Sequence, residues 1–310
     1  MMERNLRGSR RWLISSIAAM LVILSGSSSW AASLRWKFTP GEALHYEVEQ
    51  KTITEAKFNN QDVKTTLTQT IDTTWEVKSV GSDGAADMTQ SIDRIRTKIE
   101  SAFATFEYDS MDGKEPEGPI AAGMVPMLKA LLGAKFRYKM TPQGELSDVK
   151  VPDGLIDKLK QASPGGGGGG MFSEKGLENM ITESSLELPK EDLAKDKTWT
   201  RSSKLPMGPI GMLALDKTYR YEGEESNLDK VTLETKGVLE PDPANKLDVK
   251  INAQEGKGKF FFDNHAGRVA NSSVNQKMDI VIKVMDREIT QRYDTSTVMK
   301  LVEAKGGGAK

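Results

Sequence analysis

The sequence predicts an α+β protein built on long antiparallel strands, with two or three helices inserted in the middle of the chain. Three features support this prediction. Apolar and polar residues alternate with a period of two after residue 35, polar turns separate these segments, and helical spacing replaces the alternation near the middle. Short polar turns between long strands are typical of an antiparallel sheet with one solvated face, either a curved open sheet or a half-barrel.

Four segments carry the alternating pattern most clearly. In each, one set of alternate positions is apolar, whereas threonine and charged residues take the outward positions. Several of these segments exceed the usual strand length of roughly 5–6 residues. The apolar positions are Val63, Leu67, Ile71, Trp75 and Val77; Leu213, Leu215, Tyr219 and Tyr221; Leu247, Val249 and Ile251; and Val274, Met278, Ile280, Ile282 and Val284.

Helical spacing begins at Met124 and runs to Leu132, and Gly133 follows where a helix C-cap belongs. Pro126 lies inside this pattern and predicts a short or kinked helix. Residues 152–161 and 171–185 have the pattern of two further amphipathic helices.

The predicted domain organisation is one α+β domain over residues 32–303. The alternative is a pair of β-rich halves, residues 32–163 and 171–303, joined by a flexible glycine linker at residues 164–170. Residues 304–310 contain a glycine run and are predicted to be a disordered tail.

Residues 1–31 have the composition of a secretory signal peptide. Four arginines precede an apolar run at residues 13–25, which is shorter than the roughly 20 residues that a transmembrane helix needs. Ser29-Trp30-Ala31 fits the small-x-small rule, so we predict cleavage after Ala31, export to the periplasm or beyond, and a mature chain that does not span the membrane. Ser9-Arg10-Arg11 also matches the twin-arginine signature, but adjacent arginines are common in basic leaders, and we favour the Sec route.

Composition excludes several classes of protein. The 43 basic and 44 acidic residues nearly cancel, which argues against a nucleic-acid-binding protein. Zero cysteines exclude disulfide frameworks, thiolate metal sites and thiol catalysis. Of the two histidines, His45 is predicted to face outward on a strand and His265 to lie in a turn. Nucleotide-binding and hydrolase motifs are missing, so we predict no cofactor, no metal site and no enzymatic activity.

The candidate binding surface is the apolar, methionine-containing middle of the chain. These side chains either pack the helices onto the sheet or line an apolar groove for a lipid tail, for which flexible methionines are suited. The leading hypothesis is an exported, non-catalytic binding protein of the cell envelope or periplasm, with a lipid-like ligand or an envelope protein as partner. The alternatives are a structural or assembly module without a ligand pocket and a hydrolase that uses Asp or Glu side chains on the strands. The candidate ligand-binding residues are Met124, Met127, Leu128, Leu131, Met171 and Phe172.

Two segments of the chain also resemble segments of a known family. Residues 36–46 read WKFTPGEALHY, and Leu188-Pro189 is followed by Asp196-Lys197-Thr198-Trp199. In this order they resemble an uncharacterised family of secreted, β-rich bacterial proteins of the planctomycete and Bacteroidetes type. The family's G-[DE]-x-W element is degenerate here, because no glycine precedes Asp196. The resemblance implies a shared β-rich fold over most of the mature chain. It implies no particular activity, because the family has none assigned. In architecture alone, the chain is also similar to periplasmic lipoprotein carriers with a curved open sheet and a helical lid.

Overall fold

The computed structural model describes residues 31–58, 61–162, 173–207, 211–241, 248–284 and 287–303, and these form twelve strands and three helices. The strands are β1 (Ala43–Phe58), β2 (Gln61–Val80), β3 (Ala86–Ser101), β4 (Thr105–Asp109), β5 (Lys135–Met140), β6 (Leu146–Lys150), β7 (Thr198–Pro206), β8 (Gly211–Glu225), β9 (Leu228–Pro241), β10 (Asp248–Asp263), β11 (Arg268–Val284) and β12 (Arg287–Val302). The helices are α1 (Pro119–Leu131), α2 (Leu155–Ala162) and α3 (Glu174–Glu183).

Several sequence predictions fall outside the described residues. They are the signal peptide up to residue 30, the glycine linker at 164–170, the tail at 304–310, and the candidate binding residues Met171 and Phe172.

All twelve strands belong to one antiparallel sheet, so the predicted fold class is confirmed. The strand order is β6-β5-β3-β2-β1-β12-β11-β10-β9-β8-β7, and β4 pairs with the far half of β3. The end strands β6 and β7 do not pair with each other in the described part of the chain, which makes the sheet open. Strands from the first and second halves of the chain meet where β1 pairs with β12 over thirteen residue positions.

The two faces of the sheet differ in composition. We call the face that carries Tyr46 the inner face, and the register assigns residues from every long strand to it. One row of cross-strand neighbours on this face contains Ile95, Ile71, Val48, Met299, Ser272, Phe260, Val231 and Tyr221. The apolar residues predicted from the alternation lie on this face, apart from Leu247 and the side chain of Val284, which the structure does not describe. The residues that alternate with them, largely threonine and charged residues, lie on the opposite, outer face.

An N-terminal segment, residues 32–38, caps one end of the inner face and contributes to the core. Trp36 is buried among Trp75, at a ring-centroid distance of 6.3 Å, and Phe262, at 5.6 Å. Its indole Nε1 donates to the carbonyl of Leu186 at 3.0 Å. Because a buried indole N–H needs an acceptor, this bond fixes the ring in the core. We call the end of the sheet that residues 32–38 cover the capped end.

The helices form a partial layer on the inner face near the capped end. Helix α1 starts at Pro119, which suits the first turn because its missing N–H would have had no partner there. Pro126 lies inside this 13-residue helix, on its exposed side, and the helix continues through it to Leu131. Gly133, with φ +73°, follows the helix in the left-handed conformation that a C-cap uses.

The described helices are α1, α2 and α3, and the longest of them has 13 residues. In the part of the chain that the structure describes, no helix combines the length and hydropathy required to cross a bilayer.

Candidate functional site

The candidate residues on α1 are involved in packing. Leu128 is buried against Ile95 of β3 and Phe106 and Tyr108 of β4, in a small apolar cluster of its own. Met127 is half-buried between that cluster and the main core. These contacts account for the apolar face of α1, and the predicted role in ligand binding stays a prediction. Met124 and Leu131 are likewise half-buried against this cluster.

A second apolar surface lies on the inner face, farther along the strands from the capped end. We call it the distal patch. Four of its side chains, on β8, β10 and β11, are at most 7% exposed, yet they belong to neither of the two apolar clusters found among the described residues. Cross-strand pairing of Val249 with Ile282 confirms that these strands present the same face. The patch consists of Leu213, Leu215, Val249, Met278, Ile280 and Ile282.

A polar row separates the distal patch from the core. It crosses the sheet from β1 to β7 through successive paired positions, and at its centre the hydroxyl oxygens of Thr52 and Thr295 lie 3.1 Å apart. All but its last two members are uncharged. The row contains Thr52, Thr295, Gln276, Gly256, Thr235, Lys217 and Arg201. Because polar side chains interrupt the inner face here, the patch is chemically distinct from the core.

Acidic partners neutralise the two charged members of the row. Lys217 forms an ion pair with Glu183 at the end of α3, and Glu183 also accepts a hydrogen bond from Ser203 at 3.1 Å. Arg201 lies 2.7 Å from a carboxylate oxygen of Glu187. Burial raises the pKa of Glu187, and the charges of Arg201 and Lys217 oppose that shift. The inner face therefore carries little net charge at this point.

Polar side chains pack closely beside the row on β9 and β10. Gln254 Nε2 donates to the hydroxyl of Thr235 at 3.4 Å, and Gln254 Oε1 is buried with no hydrogen-bond donor among the described residues. A Cβ at Gly237 would lie 2.7 Å from that Oε1, and a Cβ at Gly256 would lie 2.3 Å from the Thr235 hydroxyl. Both glycines are therefore needed to make room for the polar groups. We call Thr235, Gly237, Gln254 and Gly256 the polar cluster.

Neither histidine forms a recognisable catalytic set. His45 lies on the outer face, as predicted, with Nδ1 2.9 Å from the Thr74 hydroxyl, which donates to Asp93 at 2.6 Å. His265 lies in the turn between β10 and β11. Within the described ranges, no group of three or more His, Asp or Glu side chains could hold a metal ion.

The buried carboxylate of the described residues pairs with a hydroxyl group rather than with a second acid. Among the described residues, Asp229 is the one carboxylate in the buried set, and it accepts a hydrogen bond from the Tyr221 hydroxyl at 2.5 Å. Burial raises the pKa of Asp229. The nearby Glu225 lies 2.7 Å from Lys230 on the surface. In these two contacts the partner is a tyrosine or a lysine, and not the second carboxylate that a hydrolase of this kind would use.

A hollow of about 670 Å³ lies at the β2–β3–β4 edge and is lined largely by threonine and charged side chains. Arg94 and Asp109 form a two-point ion pair at this edge, with the Arg94 Nε 2.9 Å from the carboxylate. The backbone N–H of Met111 also donates to Asp109 at 3.0 Å. The hydrogen bonds from Arg94 lower the pKa of Asp109 from 3.8 to about 2.

This ion pair predicts an acid-sensitive contribution to stability. Because the folded-state pKa of Asp109 is depressed, its contribution is present above pH 4 and is lost as the pH falls from about 4 to about 2. We expect Asp109→Asn to lower the free energy of unfolding by about 1 kcal/mol at pH 7, after allowance for solvent screening. Urea unfolding at pH 7, 4 and 2.5 measures this, with Asp62→Asn at an exposed position of β2 as the control. An equal loss at pH 7 and pH 2.5 would contradict the assignment.

The sequence predicts the apolar part of this site but not its polar part. The alternation identified Met278, Ile280 and Ile282 as one apolar face but did not distinguish the distal patch from the core. The alternation gives no indication of the polar cluster. Glycine inside a strand pattern is a signal that could have indicated it, because Gly256 and Gly258 flank a single lysine in an otherwise regular strand.

Comparison with known proteins gives a family and a set of distant structural similarities. A family model described as "Family of unknown function (DUF6263)" matches residues 83–269, more than half of the chain. This confirms the prediction of an uncharacterised family, and its planctomycete and Bacteroidetes distribution stays a prediction. No curated protein matches the chain.

Among solved structures, the chain is similar to lipovitellin, in a structure described as lipid–protein interactions, at 11% identity and a TM-score of 0.49. The alignment covers 88% of this chain and 26% of the lipovitellin chain, so this chain spans about a quarter of its length. OccK5 (OpdH) of Pseudomonas aeruginosa is similar at 8% identity, with 84% of this chain and 99% of that chain covered and a TM-score of 0.27. A COG4313 outer membrane channel of Pseudomonas putida F1 is similar at 10% identity, with 86% and 97% covered and a TM-score of 0.25.

Proposed function

The chain belongs to the DUF6263 family of unknown function, and we propose that it is an exported, non-catalytic binding protein of the cell envelope or periplasm. Its ligand is an apolar, lipid-like molecule that lies on the inner face of the sheet. The basic, short apolar leader supports export. The distal patch supports an apolar ligand.

One observation carries the proposal: a group of apolar side chains lies outside both hydrophobic clusters of the described residues and on the other side of a polar row. A protein that needed these residues only for its core would extend the core without interruption. Apolar surface set apart on one sheet face and edged by polar groups is typical of a binding site. The accessible apolar area that a lipid tail could cover belongs mainly to the half-buried Met278 and Ile282, at a gain of roughly 25 cal/mol per Å² removed from water.

The polar hollows do not support binding of an apolar ligand. The hollow of about 670 Å³ is lined largely by threonine and charged side chains, and a second of about 560 Å³ lies between β1, β2 and β12 among Glu55, Lys64 and Arg292. Apolar molecules gain little from such surfaces. We therefore assign the ligand to the distal patch.

A charge placed in the distal patch is expected to weaken binding. N-phenyl-1-naphthylamine, an uncharged fluorophore that brightens in apolar sites, serves as the probe for the chain from Ala32. We expect Ile282→Lys to weaken its binding at least tenfold, because the ligand would have to desolvate an ammonium group. Val281→Lys is the matched control. Val281 is adjacent to Ile282 on β11 and is similarly half-buried, but its side chain faces outward.

Two results would overturn the proposal. One is an unmodified chain that does not bind the probe, which would favour the structural or assembly module instead. The other is an Ile282→Lys variant that folds, as judged by its urea transition, and binds the probe as tightly as Val281→Lys does. Native mass spectrometry of protein taken from its own host adds an independent readout, since a carrier retains a lipid-like mass.

A further inference from the structure

We infer that β7 is an interaction strand whose partner is β7 of a second copy of this chain, so that the sheets of two copies join edge to edge about a two-fold axis. The inference concerns the edge of the sheet and is independent of the ligand proposed above for the inner face. It is carried by the unpaired backbone groups of β7, by the difference between β7 and the other edge strands, and by the match of β7 with its own sequence.

One side of β7 carries backbone hydrogen-bonding groups without partners. The Tyr221 N–H donates to the Lys197 carbonyl at 2.9 Å, so the odd-numbered residues of β7 face β8. The Met207 N–H donates to the Gly211 carbonyl at 2.8 Å, which gives the same parity at the other end. Even-numbered residues therefore direct their N–H and C=O groups away from β8, and among the described residues no group bonds to them. The exposed residues of this kind are Thr198, Thr200, Ser202 and Lys204.

The other edge strands are protected against pairing, whereas β7 is not. Strands β4 and β6 have five residues each, the pairing of β5 with β6 contains a register shift, and Asp148 in β6 has a φ of 52°. Short length and irregularity are devices that keep an edge from pairing. Strand β7 has nine residues and pairs with β8 without a register shift. It is therefore the long, regular edge of the described sheet.

The charged side chains of β7 do not guard its edge. Lys204 extends across β8 to Glu240 on β9, at 2.7 Å, and Arg201 on the inner face lies 2.7 Å from Glu187. A lysine on an edge strand prevents pairing when its charge would have to be desolvated beside a new strand. Here both cations already have acidic partners within the chain. A strand can thus be added to β7 without burying an unpaired charge.

Strand β7 can pair along its whole length with a second copy of itself. Its midpoint is Ser202, and an antiparallel two-fold axis at this residue pairs all of Thr198–Pro206. Ser202 and the nearest outward-facing residues, Thr200 and Lys204, then form narrow pairs that each exchange two N–H···O bonds. An edge of free N–H and C=O groups is the surface that an added strand recognises.

The side chains that meet across this axis are compatible. Arg201 lies opposite Ser203 of the second copy, and Trp199 lies opposite Leu205, which makes an apolar cross-strand pair on the inner face. An axis one position earlier would place Arg201 opposite itself and would pair only residues 198–204. Strand length and charge therefore both place the axis at Ser202. This match of β7 with itself favours a second copy over an extended segment of another protein.

A single-cysteine cross-link tests the partner and the register together. The chain contains no cysteine, so any disulfide arises from the introduced thiol. Narrow antiparallel pairs have Cα atoms about 5.5 Å apart, within the range that disulfides span. We expect Ser202→Cys, oxidised with copper–phenanthroline, to form a covalent dimer at least tenfold faster than Thr200→Cys. The latter is the matched control, because residue 200 lies opposite residue 204 and roughly 14 Å from its own counterpart.

Proline variants test the edge without a covalent bond. Ser202→Pro removes an outward-facing N–H and leaves the bonds with β8 in place. We expect the unmodified chain from Ala32 to sediment as a dimer at about 100 µM, and Ser202→Pro as a monomer. Glu107→Pro is the control and should remain dimeric, because Glu107 is exposed on the edge strand β4 and its N–H faces away from β3. Urea unfolding checks that each variant folds.

Several results would overturn the inference. An unmodified chain that is monomeric at that concentration would leave the edge to a strand of another protein. Equal cross-linking of Ser202→Cys and Thr200→Cys, or a folded Ser202→Pro that dimerises as tightly as the unmodified chain, would place the contact elsewhere. If Ser202→Pro does not fold, the cross-linking comparison decides. Binding of N-phenyl-1-naphthylamine is measured separately, so the proposed function stands or falls on its own test.

Discussion

Gly144→Ala is expected to lower the free energy of unfolding by about 3–5 kcal/mol, although it adds only one methyl group. Gly144 lies in the turn between β5 and β6 with φ +85°, in the left-handed region where a side chain is strained. A Cβ there would lie 2.3 Å from the carbonyl oxygen of Leu186 and 2.7 Å from Trp36 Nε1. Neither atom belongs to a flexible side-chain end, so the surroundings must shift.

The large effect follows from which atoms would shift. Leu186 and Trp36 form the buried hydrogen bond that fixes the indole ring in the core. The Gly144 carbonyl itself accepts a bond from Ser185 at 2.8 Å, and Leu188 N–H donates to Gln143 at 2.7 Å. One methyl group would thus separate the turn from the segment that follows α3. Losing one buried hydrogen bond costs about 1–3 kcal/mol, in addition to the strain at φ.

Gly41→Ala is the matched control. Gly41 has nearly the same backbone angle, φ +83°, but a Cβ there would meet no atom within 4 Å. We expect it to cost only the backbone strain, about 1–2 kcal/mol. Urea unfolding of both variants measures the difference. Equal losses for the two variants would contradict the packing argument and leave backbone strain as the cause.

Strand faces could be predicted from the sequence because they depend on local geometry. A period of two places Met278, Ile280 and Ile282 on one side of β11 whatever the strand pairs with. Strand partners could not be predicted, because β1 meets β12 across more than 230 residues of chain and hydrogen bonds between backbones carry no sequence signal. That both halves of the chain share one sheet is therefore known only from the structure.

The same reason limits what could be predicted of the candidate site. The candidate residues on α1 were chosen for composition, and composition does not distinguish a packed methionine such as Met127 from a binding one. The distal patch and the polar cluster exist only once β8 to β11 are in register. Gln254 looks like an ordinary surface residue until Gly237 of the neighbouring strand is placed opposite it.

The segment at residues 32–38 gives the second large expected effect. A chain that starts at Ala32, the predicted mature N-terminus, should fold, whereas a chain that starts at Thr39 should not unfold cooperatively. The segment supplies two buried side chains, Leu34 and Trp36, whose combined burial is worth about 5 kcal/mol or more. That is comparable with the whole stability of a typical domain.

Backbone hydrogen bonds add to that loss. Ala32 exchanges two with Leu193, at 2.8 and 2.9 Å, Trp36 N–H donates to Pro142 at 2.8 Å, and Lys37 N–H donates to Gly267 at 3.0 Å. Without the segment, the carbonyl groups of three separate loops lose their donors and the core loses its cap.

Circular dichroism and urea unfolding of the two chains measure this effect. A peptide of residues 32–38 added to the shorter chain is expected to restore part of the transition, because the contacts that it makes are local to the capped end. A shorter chain that unfolds within 1 kcal/mol of the longer one would show that the sheet holds without this segment. Since the first bridge involves Ala32 itself, cleavage after Ala31 would leave every one of these contacts in the cleaved chain, whereas cleavage several residues later would remove them.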